Sequence, residues 1–315
     1  MNVVMLSEHD YAGSGWQMTQ AIRLLTDHNM WHIKATSHRY GYKTDYQLNE
    51  ENFPLVKETI GQADVIHFKG DDLPAREWHG IKIPDRAKVV VTVGGSGFRR
   101  HGAKDNGAMA WHPISKYIEG SDLRTVLSPD LNYPEFKGHY TPYVIDSESQ
   151  PNCWCLKEPI RIGYYPGREG LKGDQTYILP AFKALKKEFD FEIVSIQNMT
   201  YEKSVGIKKG LTLFVEQISK AGCYGNSGVE AMQFGVPVVA YISERSLRQA
   251  NGTMFQSSPV LNCGSTLEGL TVLLRNILSG KLNLSEVSKQ TKQYCDYFHG
   301  YEANAKLWDG LYESL

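Results

Sequence analysis

The chain has 315 residues, long for one compact domain and comfortable for two, each with its own core. Apolar residues make up 41% and charged residues 22%, which fits a folded globular protein and excludes a disordered or fibrous one. Lysine plus arginine number 34 against 35 aspartates and glutamates, a formal charge of −1, so no basic excess exists to displace counterions from a nucleic acid backbone.

The chain opens on a short apolar run, Met1 to Leu6, with no positive charge ahead of it. It reads as a first buried strand rather than a signal peptide. No stretch approaches the ~18 apolar residues that span a bilayer. A cytoplasmic protein is expected, with peripheral contact at the inner membrane face left open. Further strands are expected at His32 to Ala35, Val65 to Phe68, Val89 to Val93 and Arg124 to Leu127, with helices at Trp16 to Leu25 and Phe53 to Ile60. The second half repeats the alternation. Its strands are Ile160 to Tyr164, Glu192 to Ile196, Leu211 to Phe214 and Val236 to Tyr241, and its helices Ile178 to Phe189, Tyr201 to Lys208 and Gly228 to Phe234.

Helical periods at Leu267 to Leu278, Leu284 to Phe298 and Tyr301 to Leu315 close the chain. Near-continuous apolar strands such as Val89 to Val93 suit parallel sheets buried on both faces. Between the two series, Asp146 to Pro159 is polar and aperiodic, with Pro151 and Pro159, and reads as a linker. The expected architecture is α/β, two facing domains with a ligand cleft at the carboxyl ends of their strands. The five cysteines are an odd number without metal-ligand spacing, and reduced thiols are expected.

The segment Glu216 to Val239 carries the most chemistry. A strand ends, a loop with Gly225 follows, and a helix starts near Ser227. Backbone N–H groups at such a start suit a diphosphate, and Gly225 and Gly228 permit close backbone approach. Glu230 lies one turn in, placed to accept ribose hydroxyls. Ser227 and Glu230 also spell a capping box, which needs no ligand, and Gly235 can serve as the helix stop. Upstream, Arg168 and Lys172 lie on the glycine-bearing loop after the first strand of this half, where a bidentate guanidinium and a compact ammonium suit phosphate oxygens. In the first half, Gly13 and Gly15 follow the opening strand and begin a helix. His9, His67 and His101 follow or end strands and are candidate proton carriers.

The run from Tyr224 through Glu230-Ala-Met to Gly235-Val-Pro237-Val resembles the donor-site signature of GT-B glycosyltransferases, specifically the retaining family 4 type. Arg168 followed by Lys172-Gly173 resembles that family's basic pair, Ala63 to Lys69 its strand ending in His, and Val93 to Arg99, with Ser96, its His-Gly-Ser-x-x-Arg segment. The resemblance implies two Rossmann-like domains facing across a cleft, residues 1–146 for the acceptor and 147–298 for the donor. A C-terminal helix from about 299 to 315 then crosses back to the first.

It also implies transfer from a UDP- or GDP-sugar to a glycan, lipid-linked or other hydroxyl acceptor, with retention and with neither metal nor cofactor. Arg168, Lys172, His67 and Ser96 are the implied catalytic residues. Gly13, Gly15, Arg168, Lys172, Tyr224, Gly225, Asn226, Ser227 and Glu230 are the implied donor contacts. Two positions depart from the pattern: Gly222 stands where a first glutamate often lies, and Gly94 where a histidine often precedes Gly-Ser. Three other outcomes share the architecture: an inverting enzyme such as a phage-type DNA glucosyltransferase, a sugar epimerase, and a non-catalytic nucleotide- or glycan-binding protein.

Overall fold

The computed structural model describes residues 1–70, 75–94, 98, 114–166, 173–219, 222–249 and 256–315. The chain divides into two compact units. One comprises Met1–Val144 and Tyr301–Leu315, the other Ile145–Gly300.

Unit 1 is built on a parallel sheet of β1 (Asn2–Ser7), β2 (Asn29–Lys34), β3 (Tyr46–Gln47), β4 (Val65–Gly70), β7 (Lys88–Val93), β8 (Leu123–Val126) and β9 (His139–Tyr140). Their spatial order is β3-β2-β1-β4-β7-β8-β9, and a two-residue antiparallel hairpin, β5 (Glu77–Trp78) with β6 (Ile81–Lys82), stands apart. Strand alternation sends Val4, Leu6, Ile66, Phe68 and Val91 to one face, where Val56 and Ile60 of α2 (Phe53–Gly61) and Tyr117 of α3 (Ile114–Glu119) cover them. The opposite face presents Val3, Met5, Met30, Val65 and Val90 to α1 (Ser14–Leu25) and to the C-terminal helix Tyr301–Glu313. Trp308 and Tyr312 of that helix are wholly buried there.

Unit 2 carries a second parallel sheet, β10 (Ile160–Tyr164), β11 (Phe191–Ser195), β12 (Leu213–Val215), β13 (Val238–Ala240) and β14 (Leu261–Asn262), in the order β11-β10-β12-β13-β14. Its helices are α4 (Leu179–Leu185), α5 (Tyr201–Lys209), α6 (Asn226–Met232), α7 (Glu244–Gln249), α8 (Leu267–Leu278) and α9 (Leu284–His299). Thr200, Thr266 and Asn283 cap α5, α8 and α9 by accepting from backbone N–H groups of the first turn. Both sheets are of Rossmann type, the fold class expected for a GT-B protein.

Three departures from the sequence reading are instructive. Strands β3, β9 and β14 and the hairpin are each two residues long, too short to leave a period. The helix expected from Ile178 instead begins as a single π turn, Asp174–Ile178, with α4 ending at Leu185. The expected linker Asp146 to Pro159 has no helix or strand, yet it is tied into unit 2. Cys153 N–H donates to the Phe234 carbonyl (3.2 Å), and the Trp154 indole donates to the Thr212 carbonyl (2.9 Å). A tryptophan that half-buries itself against the unit 2 core holds the segment down.

Candidate functional site

Strand order in unit 2 reverses direction between β10 and β12, and ligands of open α/β sheets gather at the carboxyl ends of strands flanking such a reversal. The two segments that the sequence singled out leave the sheet there. The first contains Arg168 and Lys172, which lie outside the described residues, as do Ser96 and His101. The second runs from Glu216, just past β12, to α6.

Gly225 is the N-cap residue of α6 in extended conformation. The capping box read from Ser227 and Glu230 does not form. A cap residue must lie outside the helix, whereas Asn226, Ser227 and Glu230 are all inside it. The Glu230 carboxylate, 5% exposed, is held from two sides: Asn226 Nδ2 donates to Oε1 (2.9 Å), and Lys208 Nζ of α5 pairs with Oε2. Lys208 is itself buried and also reaches Ser204 Oγ at 3.2 Å. A buried lysine and a buried glutamate are tolerated together where either alone is costly. Glu230 is therefore a fixed, charged acceptor one turn into the helix.

Gly225 and Gly228 pack on a carboxylate that the sequence reading passed over. Glu216, 2% exposed, lies with Oε1 3.4 Å from where a Gly225 Cβ would stand and Cγ 3.0 Å from that of Gly228. Its Oε2 accepts from Gln217 N–H at 2.6 Å. An acidic residue directly after a buried strand was the available signal. Tyr224 is buried, with its hydroxyl 2.5 Å from the Tyr294 hydroxyl and 3.0 Å from His299 Nε2. Its side chain anchors the loop to Tyr294 and His299. Gly222 has φ +58°, and a Cβ there would lie 2.4 Å from Ser243 Cβ. A glutamate cannot occupy that position on this backbone, so the departure at 222 is built into the loop.

In unit 1 the βα loop after β1 is satisfied from within. Asp10 accepts from Gly15 N–H (2.8 Å) and Trp16 N–H (3.1 Å), the first donors of α1, and its Oδ1 lies 2.8 Å from Lys69 Nζ. Asp10 is wholly buried and Lys69 nearly so. Burial pushes the Asp10 carboxyl up, but Lys69, His32 and the hydrogen bonds outweigh it and hold it below the ordinary carboxylate range. His32 Nε2 lies 3.9 Å from Asp10 and 3.1 Å from Ser7 Oγ, and desolvation lowers its pKa to about 4.

The helix start that Gly13 and Gly15 were expected to offer a donor is thus already occupied by a carboxylate. Gly13 adopts φ +64° with Tyr42 Cδ1 3.1 Å from its Cβ position, and Gly15 abuts His32 and Asp10. Internal packing accounts for both. His67 lies on β4. It is fully enclosed, with Nδ1 2.7 Å from the Tyr312 hydroxyl and Nε2 2.6 Å from Thr92 Oγ1, and burial lowers its pKa to about 3. It is a core imidazole with both nitrogens engaged. His9, partly exposed, pairs through Nδ1 with Thr36 Oγ1.

Among the described residues no three His, Cys, Asp or Glu side chains cluster as a metal site, and no helix is long and apolar enough to cross a membrane.

No protein-family model matches the chain, and no curated protein matches it in sequence. Solved structures do resemble it. Anabaena HepE in complex with UDP-glucose superposes with a TM-score of 0.60 at 10% identity, over 99% of this chain and 100% of that one. A glycosyltransferase from Rickettsia africae gives 0.60 at 10% identity, over 99% and 98%. A Listeria monocytogenes protein bearing the name UDP-N-acetylglucosamine 2-epimerase gives 0.55 at 12%, over 100% and 97%. At these identities the likeness establishes the fold: two Rossmann-like domains of the GT-B class.

Proposed function

We propose that the protein is a glycosyltransferase of the family 4 type that takes a UDP-sugar in unit 2 and transfers its glycosyl group to an acceptor hydroxyl. The observation that carries this reading is the start of α6 at Gly225, with the fixed carboxylate of Glu230 one turn away, at the carboxyl end of the unit 2 sheet. The fold neighbours solved with UDP-glucose favour uridine over guanosine nucleotides. In this reading backbone N–H groups, Arg168 and Lys172 stabilise the diphosphate, and Glu230 accepts the ribose hydroxyls. Retention and metal independence are part of the proposal, since the two basic residues supply the charge that a divalent cation supplies elsewhere.

Thermal denaturation with a panel of UDP-, GDP-, ADP-, CDP- and dTDP-sugars tests the donor site. UDP-sugar at one hundred times its Kd should add about 2.7 kcal/mol to the stability of unit 2. Glu230→Ala removes the partner of Lys208 and lowers the ligand-free melting temperature, so each variant is compared with its own baseline. The expected result is loss of most of the UDP-induced shift. A full shift in Glu230→Ala, or none in the wild type, discards the donor-site assignment.

A second reading, epimerisation, has a fold neighbour in its favour. With UDP-N-acetylglucosamine and no acceptor, an epimerase yields the C2 isomer, either still linked to UDP or, with a water consumed, as free sugar plus UDP, whereas a transferase leaves the sugar unisomerised and releases UDP at speed only when an acceptor is supplied. EDTA should leave the rate of either unchanged.

A further inference from the structure

Helix α9 buries a polar stripe. Ser288, Lys292, Cys295 and His299, spaced four, three and four residues apart, share one face of the helix, and all are buried. An apolar stripe would seat a helix at less cost, so polar groups in such a place need partners. Three of the partners lie on the segment by which the chain enters unit 2. Asn152 Nδ2 donates to Ser288 Oγ (3.3 Å), Lys292 Nζ to the Ser147 carbonyl (3.0 Å), and Ile145 N–H to the His299 carbonyl (2.9 Å). Unit 2 begins at Ile145 and ends at Gly300, so its entry and its exit are fastened side by side. A side chain on Gly300 would run into Glu148 and the Asp296 carbonyl, and its absence permits that close approach.

The His299 imidazole reaches the candidate donor loop instead. Its Nε2 lies 3.0 Å from the Tyr224 hydroxyl, which is also 2.5 Å from the Tyr294 hydroxyl of the same helix. A hydroxyl has one proton and two lone pairs, so Tyr224 can serve both neighbours at once. All three side chains are buried, and burial pushes the Tyr294 phenol up, which keeps it protonated. Hydrogen bonds shut away from water in this way strengthen one another. Tyr224 directly precedes Gly225, the N-cap residue of α6. The backbone that the donor reading gives to the diphosphate is therefore one residue from a bond to the last residue of α9. That same residue, His299, holds Ile145 through its carbonyl.

We propose that Tyr224 and His299 are positioning residues for the donor, and that their bond couples occupancy of the Gly225 backbone to the paired entry and exit of unit 2. This rests on the donor reading and adds a coupling to it. Such coupling is reciprocal: UDP tightens the Ile145–His299 bond, and loosening that bond weakens UDP.

Amide exchange with and without UDP tests the coupling in the wild type. Saturating UDP should slow exchange at Ile145 about fivefold more than it slows the amides of β11, an edge strand of the same sheet. Tyr224→Phe removes one hydroxyl. At a temperature where circular dichroism shows it folded, it should bind UDP about fivefold more weakly and lose the extra protection at Ile145. His299→Leu should behave alike, whereas His299→Gln, which keeps a polar end for the Tyr224 hydroxyl, should recover much of the affinity. The double variant Tyr224→Phe, His299→Leu should bind no more weakly than either single one, because both break the same bond.

A merely structural role predicts lower melting temperatures with unchanged UDP affinity in the folded variants, and that result overturns the proposal. Additive losses in the double variant overturn it as well. So does Ile145 exchange in the wild type that follows β11 while UDP is bound, and in that case the donor reading stands. If UDP does not bind the wild type, the donor reading fails and the coupling fails with it.

Discussion

Lys69→Met is expected to destabilise unit 1 by about 3–5 kcal/mol, the cost of leaving a buried carboxylate without its cation. Asp10 has no solvent exposure, Lys69 Nζ is 2.8 Å away, and the two α1 amides that Asp10 accepts from supply only partial charge. The double variant Asp10→Asn, Lys69→Met removes both charges while keeping an acceptor oxygen for the helix start. It should recover much of the loss, because a buried pair is costly to break and cheap to replace whole. Hydrogen exchange of β1 and β4 amides reads unit 1 separately from unit 2, which avoids treating a two-unit chain as one transition. A single variant that exchanges like the wild type would show that water already reaches the pair.

Acidification should have an effect of similar size. His32 titrates at about 4 and His67 at about 3, both depressed chiefly by burial from an ordinary value of 6.5. The native state therefore stays neutral where the unfolded chain takes up protons. The stability involved is fully present above pH 6.5 and is lost as pH falls toward 4 and then 3. With two such groups the slope is on the order of 2–3 kcal/mol per pH unit between pH 6 and 4.5. The lowered pKa of Asp10 acts in the same direction at still lower pH. Melting followed by exchange in β1 and β4 from pH 7.5 to 4.5 should fall steeply, and a flat profile would mean that the imidazoles are solvated.

The strands and longer helices were readable because their apolar periods are set by neighbours in sequence. Val89 to Val93 and Leu267 to Leu278 emerge in the structure within a residue of where the pattern put them. The roles of individual polar side chains were not readable, because distant partners decide them. His67 lies within β4 rather than at its end as expected, and its meaning comes from Tyr312, 245 residues later. Asp10 and Lys69 are 59 residues apart, and Lys208 meets Glu230 from another helix. Even the capping box failed on a shift of two residues, from Ser227 to Gly225, at the start of α6. Glycines were half legible: the loops were found, but Gly13 and Gly222 turn out to serve a tyrosine ring and a serine inside the fold.

The helix Tyr301–Glu313 belongs to a body begun by the first strand of the chain. Synthesis on the ribosome runs in one direction, so residues 145–300 emerge complete before that helix does. Until it arrives, the sheet face carrying Val3, Met5 and Val90 lacks Trp308 and Tyr312, its two largest wholly buried partners. The first unit to be made is thus the last to close, and it depends meanwhile on whatever shields an open apolar sheet from other nascent chains.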